Sequence, residues 1–321
     1  MDMLRFFGRR VFQGGLVLLV ISVVVFAMYF IAPHNVARLL AGRQATAQTV
    51  ADVSRRLGLN RPVLDQYWTF LWGLLHGNLG YSFYSSEPVD SLIASRAPVT
   101  ISVAVGAAII WLVIGIGTGV LAARRPRSMA DRSATAAALV FYSMPPFLLG
   151  LILLFFLFFQ LHLAGVDLFP GSGYVGLLAN PAGWAQHLIL PWVTLALVTA
   201  TTYERLTRGA LLDVLGEDYI RTARAKGLTE RRVVYRHGLR SALTPVVTQF
   251  GIDLGTLLGG AIVVENVFGL PGLGALAVNS VTNQDLPVII GLVMLASAFI
   301  VVANIVVDLV YALLDPRVRA R

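Results

Sequence analysis

Residues 287–307 read Pro-Val-Ile-Ile-Gly-Leu-Val-Met-Leu-Ala-Ser-Ala-Phe-Ile-Val-Val-Ala-Asn-Ile-Val-Val, without a single Asp, Glu, Lys or Arg. An uncharged apolar run of about 20 residues is long enough to cross the hydrocarbon core of a bilayer as one helix. Five more such runs lie upstream, at residues 11–32, 98–123, 133–161, about 188–203 and 243–264, the last interrupted by Asp253. The run near 188–203 is short and borrows turns from the uncharged stretch before it. In the run 133–161, Pro145 and Pro146 lack backbone donors, which predicts a kink or break there. The fold class expected is therefore an all-α integral membrane protein with six transmembrane helices.

Composition agrees. Of the 321 residues 57% are hydrophobic and 13% charged, with a mean hydropathy of +0.75, and a soluble globule of that make-up would expose too much apolar surface. A net charge of +8 would point to nucleic acid in a soluble chain, but most of the excess lies in short segments beside the apolar runs. The bilayer is thus the expected partner and nucleic acid is not. Cys is absent, which excludes disulfides, thiolate metal sites and a cysteine nucleophile.

Arginine placement sets the expected orientation. Arg5, Arg9 and Arg10 precede the first run; Arg124, Arg125, Arg127 and Arg132 lie between the second and third; Arg205, Arg208 and the cluster from Arg221 to Arg240 separate the fourth and fifth; Arg317, Arg319 and Arg321 end the chain. The loops after the third and fifth runs hold no Lys or Arg. The positive-inside rule then puts both termini and the connector 205–242 in the cytoplasm. Arg38, Arg43, Arg55, Arg56, Arg61 and Arg96 fall in the first external loop, whose length largely exempts it from the rule, with Arg96 a minor misfit. The expected division is a cytoplasmic N-terminus (1–10), a first span (11–32), an external region with amphipathic helices (33–97) and a core (98–321) holding spans two to six. The first run is longer than a signal-peptide core and lacks a clear cleavage site, so it reads as an uncleaved anchor. Within 33–97, Leu64, Tyr67, Trp68, Leu71 and Leu75 recur at helical spacing. Packing on the span ends, lying on the membrane surface and contacting a partner all fit that pattern.

Two carboxylates need an explanation, because an aspartate near the bilayer centre costs roughly 2.5 to 3.5 kcal/mol on insertion scales. Asp308 shares a helix face with Asn304 and Tyr311 and reads as a polar anchor at the end of the sixth span. Asp253 lies near the midplane of the fifth span and is the candidate for lining a hydrated pathway; a structural hydrogen bond to a neighbouring span is the equal alternative. Gly251, Gly255 and Gly259 recur at four-residue intervals on the same span and present bare backbone, which suits either plain helix packing or a sliding gate.

Catalytic motifs are missing. A phosphate-cradling loop needs Gly-Lys followed by Ser or Thr, but the one lysine, Lys226, precedes Gly227. The histidines His34, His76, His162, His187 and His237 never stand four apart, as a zincin helix requires, and Gly171-Ser172-Gly173 lacks the spacing of a nucleophile elbow. No catalytic or metal-ligating residue and no cofactor are expected in this chain, so any energy source comes from elsewhere.

The basic island Asp218-Tyr219-Ile220-Arg221-Thr222-Ala223-Arg224-Ala225-Lys226-Gly227-Leu228 reads as a docking element. Thr222, Ala223 and Ala225 are small enough for close approach of a partner, Arg221, Arg224 and Lys226 add charge, and Gly227 breaks the helix. Attraction to anionic lipid heads would explain the charge but not the glycine or the small residues. This stretch resembles the cytoplasmic signature loop of ABC importer permeases of the dipeptide/oligopeptide/nickel branch. Arg221, Thr222 and Ala223 stand where the broader pattern has Glu-Ala-Ala, and Leu239 is followed by Arg240 rather than proline. Leu75-His76-Gly77-Asn78-Leu79-Gly80-Tyr81-Ser82, Arg96-Ala97-Pro98-Val99-Thr100, Phe169-Pro170, the Gly- and Pro-rich 264–274 and Asp308-Leu309-Val310-Tyr311 with Asp315-Pro316-Arg317 are similar to the same branch. From its Gly and Pro content 264–274 is expected to be an external or re-entrant loop.

The resemblance implies a type I ABC importer permease in a bacterial or archaeal cytoplasmic membrane. It pairs with a homologous second permease, two ATPase subunits that hold ATP and Mg, and an external substrate-binding protein. Asp218, Tyr219, Arg221, Thr222, Ala223, Arg224, Ala225, Lys226 and Gly227 would then couple to an ATPase. Peptide is the implied cargo, with nickel chelates or glutathione as alternatives. Of the rival classes, a secondary transporter needs midplane ion-coupling residues, for which only Asp253 qualifies. An intramembrane aspartyl protease needs two aspartates at one depth, which Asp253 and Asp308 do not offer.

Overall fold

The computed structural model describes residues 3–28, 46–56 and 60–314, and the elements there are helical apart from one isolated bridge between Tyr81 and Pro88. Residues 29–32 of the first run, His34, Arg38 and Arg43, and the C-terminal Asp315-Pro316-Arg317, Arg319 and Arg321 lie outside the described residues. The principal helices are α1 (Met3–Phe26), α2 (Ala47–Arg56), α3 (Val63–Leu75), α4 (Val89–Arg124), α5 (Met129–Tyr142), α6 (Pro146–Leu153), α7 (Pro181–Leu215), α8 (Asp218–Ala225), α9 (Leu239–Val267), α10 (Leu273–Thr282) and α11 (Leu286–Leu314).

Among the described residues five helices are long and apolar enough to cross a membrane, and six if the pair Glu230–Leu257 and Gly259–Val267, bent by 55°, is one span. Helices overrun the uncharged runs wherever an end projects past the apolar core. Thus α4 begins at Val89, with Pro98 inside it, rather than at residue 98, and α7 is 35 residues long rather than a short span. Its start is sharply defined: the Asn180 side chain accepts from Gly183 N–H at 3.0 Å and Pro181 occupies the first turn, where its missing donor costs nothing.

The run 133–161 is not one straight helix. It breaks between Tyr142 and Pro146, and only Pro146–Leu163, wound in π-helical turns over Leu154–Gln160, has the length and hydropathy of a span. Consecutive prolines at 145 and 146 withhold two N–H donors, and the second opens the new helix. The expected loop at 264–274 is shorter than its Gly and Pro content suggests: α9 runs on to Val267 and α10 begins at Leu273, leaving residues 268–272 as a non-helical turn through Gly269, whose φ is +59°.

The chain divides into two units, Met1–Arg96 with Leu276–Ile305, and Ala97–Ala275 with Val306–Arg321. In the first, α3 packs on the end of α1 through Tyr67 and Phe70 against Phe26, and the Ser22 and Tyr67 hydroxyls bond at 2.9 Å. A side chain at Gly14 would collide with Val301, which identifies a close crossing of α1 and α11. Asp285, buried, accepts from the Ser82 hydroxyl at 2.5 Å and from Phe83 N–H at 2.9 Å, tying the segment after α3 to the start of α11.

The second unit holds the main apolar core, with Val103, Trp111, Leu188, Ala196, Tyr203, Val246 and Val264 among its buried members. Helices α4 and α7 meet backbone to backbone. A methyl at Gly115 would lie 2.8 Å from the Ala200 carbonyl and one at Gly119 2.7 Å from that of Glu204, so only glycine permits the approach. Farther along, the Trp192 indole covers Gly106 and donates to the Ser102 carbonyl at 2.8 Å.

Candidate functional site

The basic island forms the expected helix, with a shape its sequence did not disclose. After α7 closes at Gly216, Glu217 is extended and the eight residues of α8 follow. Gly227 ends them with φ +77°, and the Gly227 and Leu228 amides return to the carbonyls of Arg224 and Ala223 at 2.9 and 3.4 Å. This is a Schellman cap, which satisfies carbonyls the helix end would otherwise orphan. One side of the helix is sunk into the chain itself: Ile220, Ala223 and Val233 form a buried cluster, backed by Val214, Leu215 and Leu228. Ala223, expected from its size to allow close approach of a partner, is turned into the chain, where a small side chain suits internal packing. Tyr219, Arg221, Thr222, Ala225 and Lys226 are exposed.

Charge divides along the same line. Arg224 makes a forked pair with Glu230 at 2.8 and 3.1 Å and reaches the Leu215 carbonyl at 3.4 Å, bracing the turn that follows α8. Arg221 pairs with Asp218 at 3.4 Å on the open surface, and the Tyr219 hydroxyl meets Ser241 at 3.3 Å. Ile220 seats α8 and Glu230 braces the turn after it, and neither stood out in the sequence. In an eight-residue helix one apolar side chain sets no periodicity, and a pair spaced six apart follows no helical rule.

A second clamp holds the other end of this region. Asp131, buried in the first turn of α5, receives Arg208 of α7 through Nε at 2.7 Å and Nη2 at 3.0 Å, and Arg127 N–H at 2.8 Å. The Arg208 guanidinium first, and the Arg127 amide second, hold its carboxyl down to about 2.

Asp253 of α9 is half-buried, and both its oxygens are engaged. The Tyr203 hydroxyl of α7 donates to one at 2.7 Å and the Gln249 amide to the other at 2.9 Å. Tyr203 is itself fully buried beside Trp111. A hydrogen bond to a neighbouring span is thus present at Asp253. Of the three glycines on α9, Gly251 allows close packing, since a side chain there would overlap Val307, while nothing lies within 4 Å of a methyl placed on Gly259. The stripe is therefore not one continuous packing seam.

Glu265 is the polar residue that sequence reasoning passed over. It is completely buried, accepts from the Thr100 hydroxyl at 2.5 Å through Oε1, and caps the start of α10 through Oε2, on Gly274 N–H at 2.7 Å and Ala275 N–H at 3.2 Å. Thr100 in turn receives Leu273 N–H at 2.8 Å. The glycines beside it now have a reason: a side chain at Gly272 would overlap the Glu265 carboxylate, and one at Gly274 would come within 2.8 Å of Oε2.

Comparison with known proteins sets these features in a family. The profile described as Binding-protein-dependent transport system inner membrane component matches residues 115–320, and that of its N-terminal part matches residues 3–104. A putative peptide transport system permease protein of Brucella abortus is 40% identical over 97% of this chain and 98% of its own. A probable peptide ABC transporter permease of Sinorhizobium fredii is 37% identical over 97% and 98%. The glutathione transport system permease GsiC of Salmonella paratyphi A is 41% identical over 99% of each chain. Among solved structures, a chain of the MetNI methionine ABC transporter in inward facing conformations aligns with TM-score 0.55 at 22% identity, covering 70% of this chain and 96% of that one, and shows a shared fold. With a profile spanning more than half of its length and such relatives along nearly all of it, the chain belongs to the binding-protein-dependent transport system inner membrane component family, the multi-pass permeases of ABC importers.

Proposed function

We propose that this chain forms half of the translocation pathway of an ATP-driven peptide importer. It is paired with a homologous second permease, two ATPase subunits and an external binding protein, in the cytoplasmic membrane of a bacterium or archaeon. Six spans with both termini and the connector 205–242 inside fit the arginine distribution and the candidate spans. The observation that carries the coupling role is the form of α8: a short helix, capped at Gly227 and clamped from below by Ile220 and the Arg224–Glu230 pair, that presents Tyr219, Arg221, Thr222, Ala225 and Lys226 outward. A rigid helix so held transmits displacement to α7 and α9, between which it is connected. In this cycle ATP binding draws the ATPases together, α8 moves with them, and the spans rock from inward-open to outward-open. ATP and Mg act in the partner subunits.

Peptide is preferred because the Brucella and Sinorhizobium relatives carry that description over nearly the whole chain. Glutathione, itself a tripeptide, is the second reading, favoured by the Salmonella relative of equal similarity. The test is to purify the tagged chain after co-expression with its ATPase, permease and binding-protein partners and to compete labelled dipeptide, glutathione and a nickel chelate for uptake. Copurifying ATPases and ATP-dependent dipeptide uptake are expected, with no hydrolysis by the chain alone. Hydrolysis by the isolated chain would overturn the permease reading, and uptake of glutathione only would move the cargo to the second.

A further inference from the structure

Helix α3 packs one edge against α1 and leaves an apolar edge bare. Tyr67 and Phe70 lie against Phe26 at the far end of α1, with ring centroids 5.2 and 5.9 Å away. Around the helix from them, Leu64, Trp68, Trp72 and Leu75 are exposed, Leu64 by 80% and Leu75 by 71%. At 100° per residue these four fall within one arc of about 80°. The two indoles stack, centroids 6.3 Å apart, and Asp65, Thr69 and His76 follow on the adjoining arc. Thirteen residues are too few to span a bilayer, so this face needs a cover of another kind.

We infer that α3 lies in the membrane–water interface at the Phe26 end of α1, with Leu64, Trp68, Trp72 and Leu75 set into the acyl boundary of that leaflet. Three observations select lipid as the occupant. First, α3 is fixed to the terminus of a helix that must itself face hydrocarbon: only 17% of the most apolar window of α1 is buried within the chain, and Leu16, Leu19, Val20, Val23 and Val24 are exposed. The bare face of α3 therefore adjoins the exposed apolar surface of α1. Second, the exposed face holds two tryptophans flanked by leucines, the residue choice of an interfacial belt, where an amphipathic ring keeps its N–H in the headgroup layer. Third, Arg61, exposed one residue before the N-cap Pro62, supplies a cation at the start of the helix that a headgroup phosphate can meet. The helix then acts as a float, holding the end of α1 and the segment Asn78–Ser82 at a fixed height; the latter is tied to Asp285 through Ser82. This role is separate from coupling through α8 and stands whether or not that reading holds.

The chain has no cysteine, so single sites can be introduced cleanly. Nitroxide labels on Leu64→Cys, Leu75→Cys, Asp65→Cys and Thr69→Cys would be read in the full chain, reconstituted into vesicles of phosphatidylethanolamine and phosphatidylglycerol. Collision with dissolved oxygen, which concentrates in lipid, is compared with collision with a water-soluble nickel complex. The expected result is an oxygen-to-nickel ratio several-fold higher at Leu64→Cys and Leu75→Cys than at Asp65→Cys and Thr69→Cys. Equal, water-like ratios at all four sites would overturn the proposal, because the face would then be bathed in solvent. Protection of Leu64→Cys and Leu75→Cys from both reagents would overturn it as well, since a protein surface would then cover the face.

Discussion

Gly227 and Arg224 sit three residues apart and fail in different ways. At φ +77° Gly227 occupies the left-handed region, where a β-branched side chain adds roughly 1 to 2 kcal/mol of backbone strain and loosens the cap of α8. Arg224 and Glu230 are both substantially exposed, and such a pair contributes only ~0 to 1 kcal/mol. Gly227→Val is therefore expected to lower ATP-dependent uptake strongly and Arg224→Ala mildly, at equal membrane insertion; the reverse order would show that the segment works by charge. Asp253 poses another question, since its hydrogen bonds to Tyr203 and Gln249 account for its presence without a pathway role. Asp253→Asn keeps one acceptor for Tyr203, so insertion and thermal stability are expected to persist while uptake changes if the residue lines the pathway. Unchanged uptake at unchanged stability would assign it to structure alone.

At the scale of elements, the two alanines of α8 allow folding and the proposed docking to be tested separately. Ala223 belongs to the buried cluster with Ile220 and Val233, whereas Ala225 is exposed two residues on. Ala223→Trp is expected to lower the melting temperature of the chain itself, because overpacking a core costs typically 1 to 3 kcal/mol. Ala225→Trp is expected to leave that temperature unchanged and to reduce ATPase copurification; equal effects on both measurements would mean the two faces are not distinct. The helix itself was legible in the sequence, and so was the left-handed residue that ends it, because glycine after a basic turn has a local meaning. Which alanine points inward was not, since the answer depends on Val233 returning beneath the helix. The break at Pro145 and Pro146 was legible for the same local reason as Gly227. The Glu265 hub was not: Thr100, its partner, is 165 residues away, and no local pattern marks that meeting.

For the whole molecule, membrane physics made the spans readable, because a lipid-crossing helix must be apolar along its length wherever its neighbours lie. Helix ends were less readable, as α4 and α7 show by running on past their uncharged cores. The orientation proposed from arginine asymmetry is open to a direct check: single cysteines are expected to label from outside at Asn180 and Gln284 and from inside at Ser128 and Glu230. External labelling at Glu230 would remove α8 from the reach of any cytoplasmic ATPase. The most direct test of the account is uptake of a labelled dipeptide into proteoliposomes holding this chain with its permease, ATPase and binding-protein partners, wild type beside Ala225→Trp, with and without ATP. The account predicts uptake that requires ATP in the wild type and is lost in Ala225→Trp although the chain remains folded; uptake without ATP, or wild-type transport by Ala225→Trp, would contradict it.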